Sequence, residues 1–179
     1  MDQSIARCPD EKVMTAWHAS QAFCVCMRKK NVSDNLIRLM PFIPNYVPPV
    51  DKITTAVGVL SSIFPDLTIE AAVYPEVQFL DPGGNLEAVY CFCCGAQLDL
   101  AWWGKAMDQS ARDQFTDLSV ITPCCGCETN LNDLQYCWPA GFARFCITIS
   151  SPSSDLEKPV MEAVEHALGT DLRRVWIHY

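Results

Sequence analysis

Apolar positions along the chain alternate between two periods, three-to-four and two, and the switches between them mark the elements. Residues 11–29 place Val13, Ala16, Trp17, Ser20, Cys24 and Met27 on one face, and Arg28-Lys29-Lys30 suits a helix C-terminus, so a helix is expected there. Leu36-Ile37-Arg38-Leu39-Met40 is a strand candidate, closed by Pro41, Pro44, Pro48 and Pro49, which continue neither regular element. Ile53, Ala56, Val57, Leu60, Ile63 and Phe64 then repeat at helical spacing behind Asp51, an acid suited to the positive end of a helix. Residues 67–74 read as a strand. Val77–Leu80 and Leu86–Tyr90, around Asp81-Pro82-Gly83-Gly84-Asn85, read as a hairpin. Near the C-terminus, Phe142–Ile149 alternates as a strand and Ser150–Asp155 is polar. Leu156–Leu168 is helical through Met161, Val164 and Leu168, and Leu172–Tyr179 is a closing strand.

Residues 36–74 and 142–179 therefore follow the same strand–helix–strand order. Arg38-Leu39 stands opposite Arg144-Phe145, Val59 opposite Val164, Ile63 opposite Leu168, and Asp66-Leu67 opposite Asp171-Leu172. One such unit alone leaves a sheet face bare. Two together make a four-stranded sheet with both helices on one side. The expected fold class is α+β, ferredoxin-like, built from two βαβ units with an insert and an N-terminal helix. The expected division is 1–84 for the N-terminal helix and first unit, 85–137 for the insert, and 138–179 for the second unit.

With 179 residues, half of them apolar and 19% charged, the chain is long enough for one ordinary hydrophobic core. The start, Met1-Asp2-Gln3-Ser4, has an acid where a secretion signal carries basic residues, and no apolar run reaches the length of a membrane helix. The expectation is a soluble cytoplasmic protein without membrane contact. In that compartment thiols stay reduced, and clustered cysteines point to metal rather than to disulfides. The net charge of −8 disfavours a polyanionic partner.

The eleven cysteines sharpen this picture because of their spacing. Cys91/Cys94 and Cys124/Cys127 are both C-x-x-C pairs, lying in Tyr90-Cys91-Phe92-Cys93-Cys94-Gly95 and Thr122-Pro123-Cys124-Cys125-Gly126-Cys127. Two intervening residues let a turn aim both thiolates at one point, and four thiolates complete the tetrahedron of a closed zinc site. Glycine after Cys94 suits a turn requiring positive φ. Over residues 86–137 the sequence resembles the zinc-ribbon or rubredoxin-knuckle family. The resemblance implies a structural Zn2+ held by Cys91, Cys94, Cys124 and Cys127, with iron in the same tetrathiolate, or no metal at all, as alternatives. The pattern departs from the family at the second knuckle, where Gly126 follows Cys125. In that frame the partner of Cys125 falls at position 122, a threonine, so the second pair is either Cys124/Cys127 or a set including Cys125. Between the knuckles, Leu98–Phe115 reads as a helix presenting Trp103, Ala106, Met107 and Ser110 on one face. The stretch Leu131–Phe145 also resembles an uncharacterised bacterial protein family, which implies an origin but no activity.

Catalytic signatures are scarce. His18, His166 and His178 are far in sequence from the cysteines, and no nucleophile elbow, zinc-protease helix or phosphate-binding loop occurs. The flanks of Cys93 and Cys125 lack a Lys, Arg or His that would activate a thiol. Between Asn85 and Cys137, two basic residues (Lys105, Arg112) face seven acidic ones (Glu87, Asp99, Asp108, Asp113, Asp117, Glu128, Asp133), the wrong sign for nucleic acid. Tyr90, Phe92, Trp102, Trp103, Phe115, Tyr136 and Trp138 are expected chiefly as core. An exposed Trp102 or Trp138 with an acidic rim would suit a basic protein partner. The expected function is a non-enzymatic zinc-binding adaptor. A nucleic-acid-associated ribbon protein and a thiol-dependent enzyme are the alternatives.

Overall fold

The computed structural model describes residues 35–83 and 86–177, which belong to one compact unit spanning 33–179. The helix expected over 11–29 lies outside the described residues. In chain order the elements are β1 (Leu36–Pro41), α1 (Val50–Ile63), β2 (Thr68–Leu80), β3 (Val89–Tyr90), α2 (Leu100–Ala111), β4 (Ser119–Ile121) and β5 (Glu128–Asn130). A 3-10 turn over Leu131–Asp133 follows, then β6 (Gln135–Tyr136), β7 (Gly141–Ser150), α3 (Lys158–Leu168) and β8 (Leu172–Ile177).

Four strands form an antiparallel sheet in the order β2-β7-β1-β8. The first strand, β1, pairs Ile37 with Ile149 of β7 and with Trp176 of β8, so it lies between the strands of the second unit. The class is mixed α+β, with residues 36–80 and 141–177 each contributing two strands to the same sheet. Period-two alternation sends Ile37 and Leu39 of β1 and Phe145, Ile147 and Ile149 of β7 to one face, where all five are fully buried against α1 and α3. Ala56 and Leu60 of α1 and Val164 and Leu168 of α3 close this core, the positions the three-to-four spacing marked. Gly169 ends α3 in the left-handed region at φ 72°, where its N–H reaches the Glu165 carbonyl at 2.7 Å.

The expected hairpin around 81–85 is corrected by the structure. Val77–Leu80 continues β2 past Pro75 and pairs with β7, Gln78 opposite Ala143 and Leu80 opposite Gly141. Pro75 has no N–H for the ladder, and the register shifts between Val73 and Gln78. Leu86–Tyr90 has another partner: Val89 and Tyr90 pair with Tyr136 and Gln135 of β6. The local Asp-Pro-Gly chemistry does form a turn, with the Gly83 N–H donating to Asp81 Oδ1 at 3.0 Å, but the segments on either side join different sheets.

A second apolar cluster joins the insert to the end of this sheet. Val77, Phe79 and Phe142 of the long strands pack with Val89, Leu98, Trp103, Leu131 and Leu134. Phe79 lies 5.9 Å from Trp103 and 5.0 Å from Phe142, ring centre to ring centre; of the aromatics expected as core, Trp103 is buried here and Trp102, Phe115 and Tyr136 pack partly against it, whereas Phe92 is exposed. The polar joint is Asn132, almost wholly buried. Its Nδ2 donates to the Phe42 carbonyl at 2.8 Å, and its Oδ1 accepts from the Phe142 N–H at 3.1 Å and Arg173 Nη1 at 3.0 Å. Gly141 permits a close approach here: a Cβ would meet the Arg173 guanidinium, which is held by Asn132 and the Ala140 carbonyl, and the end of the Met40 side chain.

Candidate metal centre

The two cysteine motifs occupy the tips of two hairpin-like turns. In the first, the Cys91 N–H donates to the Ala96 carbonyl at 2.9 Å and the Gly95 N–H to the Cys91 carbonyl at 2.9 Å. In the second, β4 and β5 pair Ile121 with Glu128, the Thr122 N–H donates to the Cys127 carbonyl at 3.0 Å, and the Gly126 N–H to the Thr122 carbonyl at 2.9 Å. The same two bonds close both turns. Gly95 and Gly126 adopt nearly the same left-handed φ, 71° and 69°, which explains why glycine stands at both places. Residue by residue, Thr122 matches Cys91, Cys124 matches Cys93, Cys125 matches Cys94, and Cys127 matches Ala96.

That correspondence decides which thiols meet. The Sγ atoms of Cys91, Cys94, Cys124 and Cys125 all lie within 4.8 Å of one another. Three of the separations are 3.7 Å (Cys91 to Cys125), 3.4 Å (Cys94 to Cys124) and 3.9 Å (Cys124 to Cys125). A zinc–sulfur bond of about 2.3 Å sets a tetrahedral edge of about 3.8 Å between sulfurs, so the spacing fits a four-thiolate ion of that size. Of the four residues that spacing selected, Cys91, Cys94 and Cys124 are in the cluster. Cys127 is not: the structure joins it to Cys93 in a disulfide, and Cys125 stands in its place. The reason is the turn. Gly126 supplies the positive φ, which puts Cys125 where Cys94 sits in the first knuckle and leaves Cys127 beyond the turn. The glycine position was the signal in the sequence, and it outweighs the C-x-x-C count.

Thr122 fills the place of the missing cysteine. It is 1% exposed, and its hydroxyl lies 3.6 Å from Cys91 Sγ, 3.5 Å from Cys125 Sγ and 3.4 Å from the Cys127 carbonyl. The thiols differ in setting. Cys91 is buried, whereas Cys94, Cys124 and Cys125 are exposed. The Cys94 N–H, with help from Thr122 and the Cys93 N–H, overcomes burial and brings the Cys91 thiol down to about 6. At Cys94 the Ala96 N–H favours the thiolate, but the neighbouring sulfur of Cys124, burial and the other two thiols outweigh it and push the group up to about 12. The Thr122 hydroxyl and the Cys127 N–H draw Cys125 below its ordinary value. Among four sulfurs in contact a charge on one disfavours a charge on the next, so these thiols titrate as a group.

Other features carry less chemistry. Cys146 is a buried free thiol in β7, 3.4 Å from the Tyr74 hydroxyl, and Cys137 is disulfide-bonded. His166 is exposed on α3, and among the described residues no hydrogen bond joins a histidine to a thiol. Trp102 and Trp138 are half-buried, and the large exposed apolar side chains of the insert are Phe92, Leu100 and Ile121. No described helix is long and apolar enough to cross a membrane. No protein-family model, curated protein or solved structure matches the chain, so its reading rests on its own residues.

Proposed function

We propose that the chain is a non-enzymatic zinc protein in which Cys91, Cys94, Cys124 and Cys125 hold one Zn2+ that fixes the two knuckles together. The observation that carries this reading is the gathering of four sulfurs, from turns about thirty residues apart, at separations suited to a tetrahedral ion. Four thiolates leave no open coordination position for activated water, which favours a structural role over hydrolysis. Two knuckles on hairpin tips support the zinc-ribbon reading of the insert. The order β2-β7-β1-β8, with both helices packed on one face, supports the ferredoxin-like reading of the sheet.

The role is that of an adaptor for another protein. Phe92 and Ile121, 62% and 63% exposed, stand at the first knuckle and directly before the second. The acidic balance of residues 86–137 favours a basic partner and disfavours nucleic acid. A reducing compartment such as the cytoplasm suits four free thiols in contact, while the Cys93–Cys127 disulfide and the disulfide-bonded Cys137 oppose it.

Elemental analysis of the full chain, purified without added metal, tests the reading. One zinc per chain is expected, falling to none on Cys91→Ser and unchanged on Cys146→Ser. Absence of metal, with Cys94, Cys124 and Cys125 all open to alkylation, would overturn it.

A further inference from the structure

The two knuckles share their main-chain hydrogen bonds but not their sulfurs. Cys91, Cys94 and Cys125 sit at positions one and four of the turns, position one closed by its own N–H and carbonyl bonds and position four set by the left-handed glycine that follows it. The fourth thiol has a different origin. Cys124 sits at position three, the counterpart of Cys93, whose own sulfur is bonded to Cys127 instead of joining the cluster. The neighbours of Cys124 Sγ are two other sulfurs, Cys94 at 3.4 Å and Cys125 at 3.9 Å, and the residue is exposed. Position one of the second turn, where a regular knuckle would supply the fourth ligand, holds the Thr122 hydroxyl.

We infer that Cys124 is the exchangeable corner of the metal site, the ligand that leaves to admit an incoming thiolate. This deepens the four-cysteine reading and rests on it. Positions one and four are fixed by the main-chain bonds and the glycine that close each turn, whereas position three lies at the open tip, so three ligands are anchored and one is not. In the exchange, the incoming sulfur bonds to the metal as the Cys124 sulfur–metal bond breaks. Cys124 departs as a thiolate and takes a proton from water. Four thiolates surround the metal before and after, and nothing is oxidised or reduced. The incoming donor is a thiolate because the three retained ligands are soft sulfur and the vacated corner was sulfur. It comes either from a small free thiol or from a cysteine of a partner protein docked at the exposed tip.

The test uses the full chain with cobalt(II), whose absorption reports the number of bound sulfurs, in a Cys93→Ser/Cys127→Ser background so that added thiol has no disulfide to attack. Cys124→Ala is expected to keep one cobalt with affinity within about a hundredfold of its parent. Cys91→Ala, Cys94→Ala and Cys125→Ala should each lose more than about a hundredfold, beyond the usual cost of an outer-shell partner. Reduced glutathione, or a peptide carrying one cysteine, should restore the four-sulfur spectrum of Cys124→Ala but not of the others. Rescue by glutathione identifies a small thiol as sufficient, and rescue by the peptide alone a protein donor. Combining Thr122→Cys with Cys124→Ala should rebuild a regular second knuckle that ignores added thiol. Circular dichroism of the helices, repeated on Cys124→Ser, checks that each variant is folded. Equal losses at all four positions, or equal rescue, would overturn the inference while leaving the metal site standing. A parent that binds no cobalt would overturn both.

Discussion

In the helix-backed sheet, Ile37, Leu39, Phe145, Ile147 and Ile149 lose all exposure against α1 and α3, whereas at the knuckle tips three of the four clustered thiols face solvent. The first region coheres through many apolar contacts, each replaceable in part by its neighbours. The tips have few buried side chains, and their cohesion depends on sulfur: one disulfide and, in our reading, one ion. Chemistry that reaches the sulfurs should therefore loosen the tips and leave the sheet intact, while a hole in the sheet should unfold both.

The largest expected effect is on the sheet side. Phe145→Ala removes a fully buried ring from the core between the sheet and the two helices and should cost about 3–5 kcal/mol, read as a shifted urea midpoint. The insert should melt in the same transition, because Phe142, three residues earlier on β7, is part of its core. Two separate transitions would break the comparison in its strong form, making the insert a domain of its own.

Next comes the joint. Asn132→Ala leaves the Phe42 carbonyl and the Phe142 N–H without their partner and withdraws one acceptor from Arg173, whose guanidinium charge burial already disfavours. A loss of about 1–3 kcal/mol is expected, chiefly from the buried Phe142 N–H left unsatisfied. Faster hydrogen exchange in the Leu131–Asp133 turn and near Phe42, with α1 and α3 unaffected, would place the loss at the joint. Uniform exchange throughout would contradict it.

These regions also differ in how far they can be read from sequence. The helices and core strands were legible because their apolar residues recur at fixed intervals, so Leu60 or Ile147 announces its own environment. The turn at Asp81-Pro82-Gly83 was legible too, but not its consequence: β3 finds its partner in β6, more than forty residues on, a choice set by long-range packing around Trp103 and Phe79. The cysteines gave the place of the site and three of its members. The fourth depended on φ at Gly126, and the C-x-x-C spacing pointed past Cys125 to Cys127.

Acid should separate the regions without mutation. Metal must displace whatever protons the thiols hold, so affinity falls as pH falls. At pH 7.5 Cys91, held near 6, is already a thiolate, whereas Cys94, near 12, keeps its proton, and fewer than four protons should leave per metal bound. As pH drops through about 6, Cys91 protonates as well, and affinity should lose about a further tenfold per pH unit. Without metal, a Cys91 pKa below its ordinary 9.0 favours the folded state most above that value and loses its effect as pH falls through about 6. Proton release measured by calorimetry in two buffers checks the count, and four protons at pH 7.5 would contradict the assignment of Cys91.

The smallest expected effect isolates one hydroxyl at the meeting point of the knuckles. Thr122→Val keeps the shape of a side chain that is 1% exposed, so the apolar packing around it is conserved. It removes the oxygen lying between the sulfurs of Cys91 and Cys125, and with it the bond to the Cys127 carbonyl. A group that steadies two ligands without binding the metal should be worth about tenfold in metal affinity, the lower end for an outer-shell partner. The urea midpoint of the metal-free sheet should stay where it was. Thr122→Ser, which restores the hydroxyl and loses only a methyl, should recover most of the affinity. If Thr122→Ser binds metal no better than Thr122→Val, the threonine acts by filling space, and the tips would then be held by packing as the sheet is.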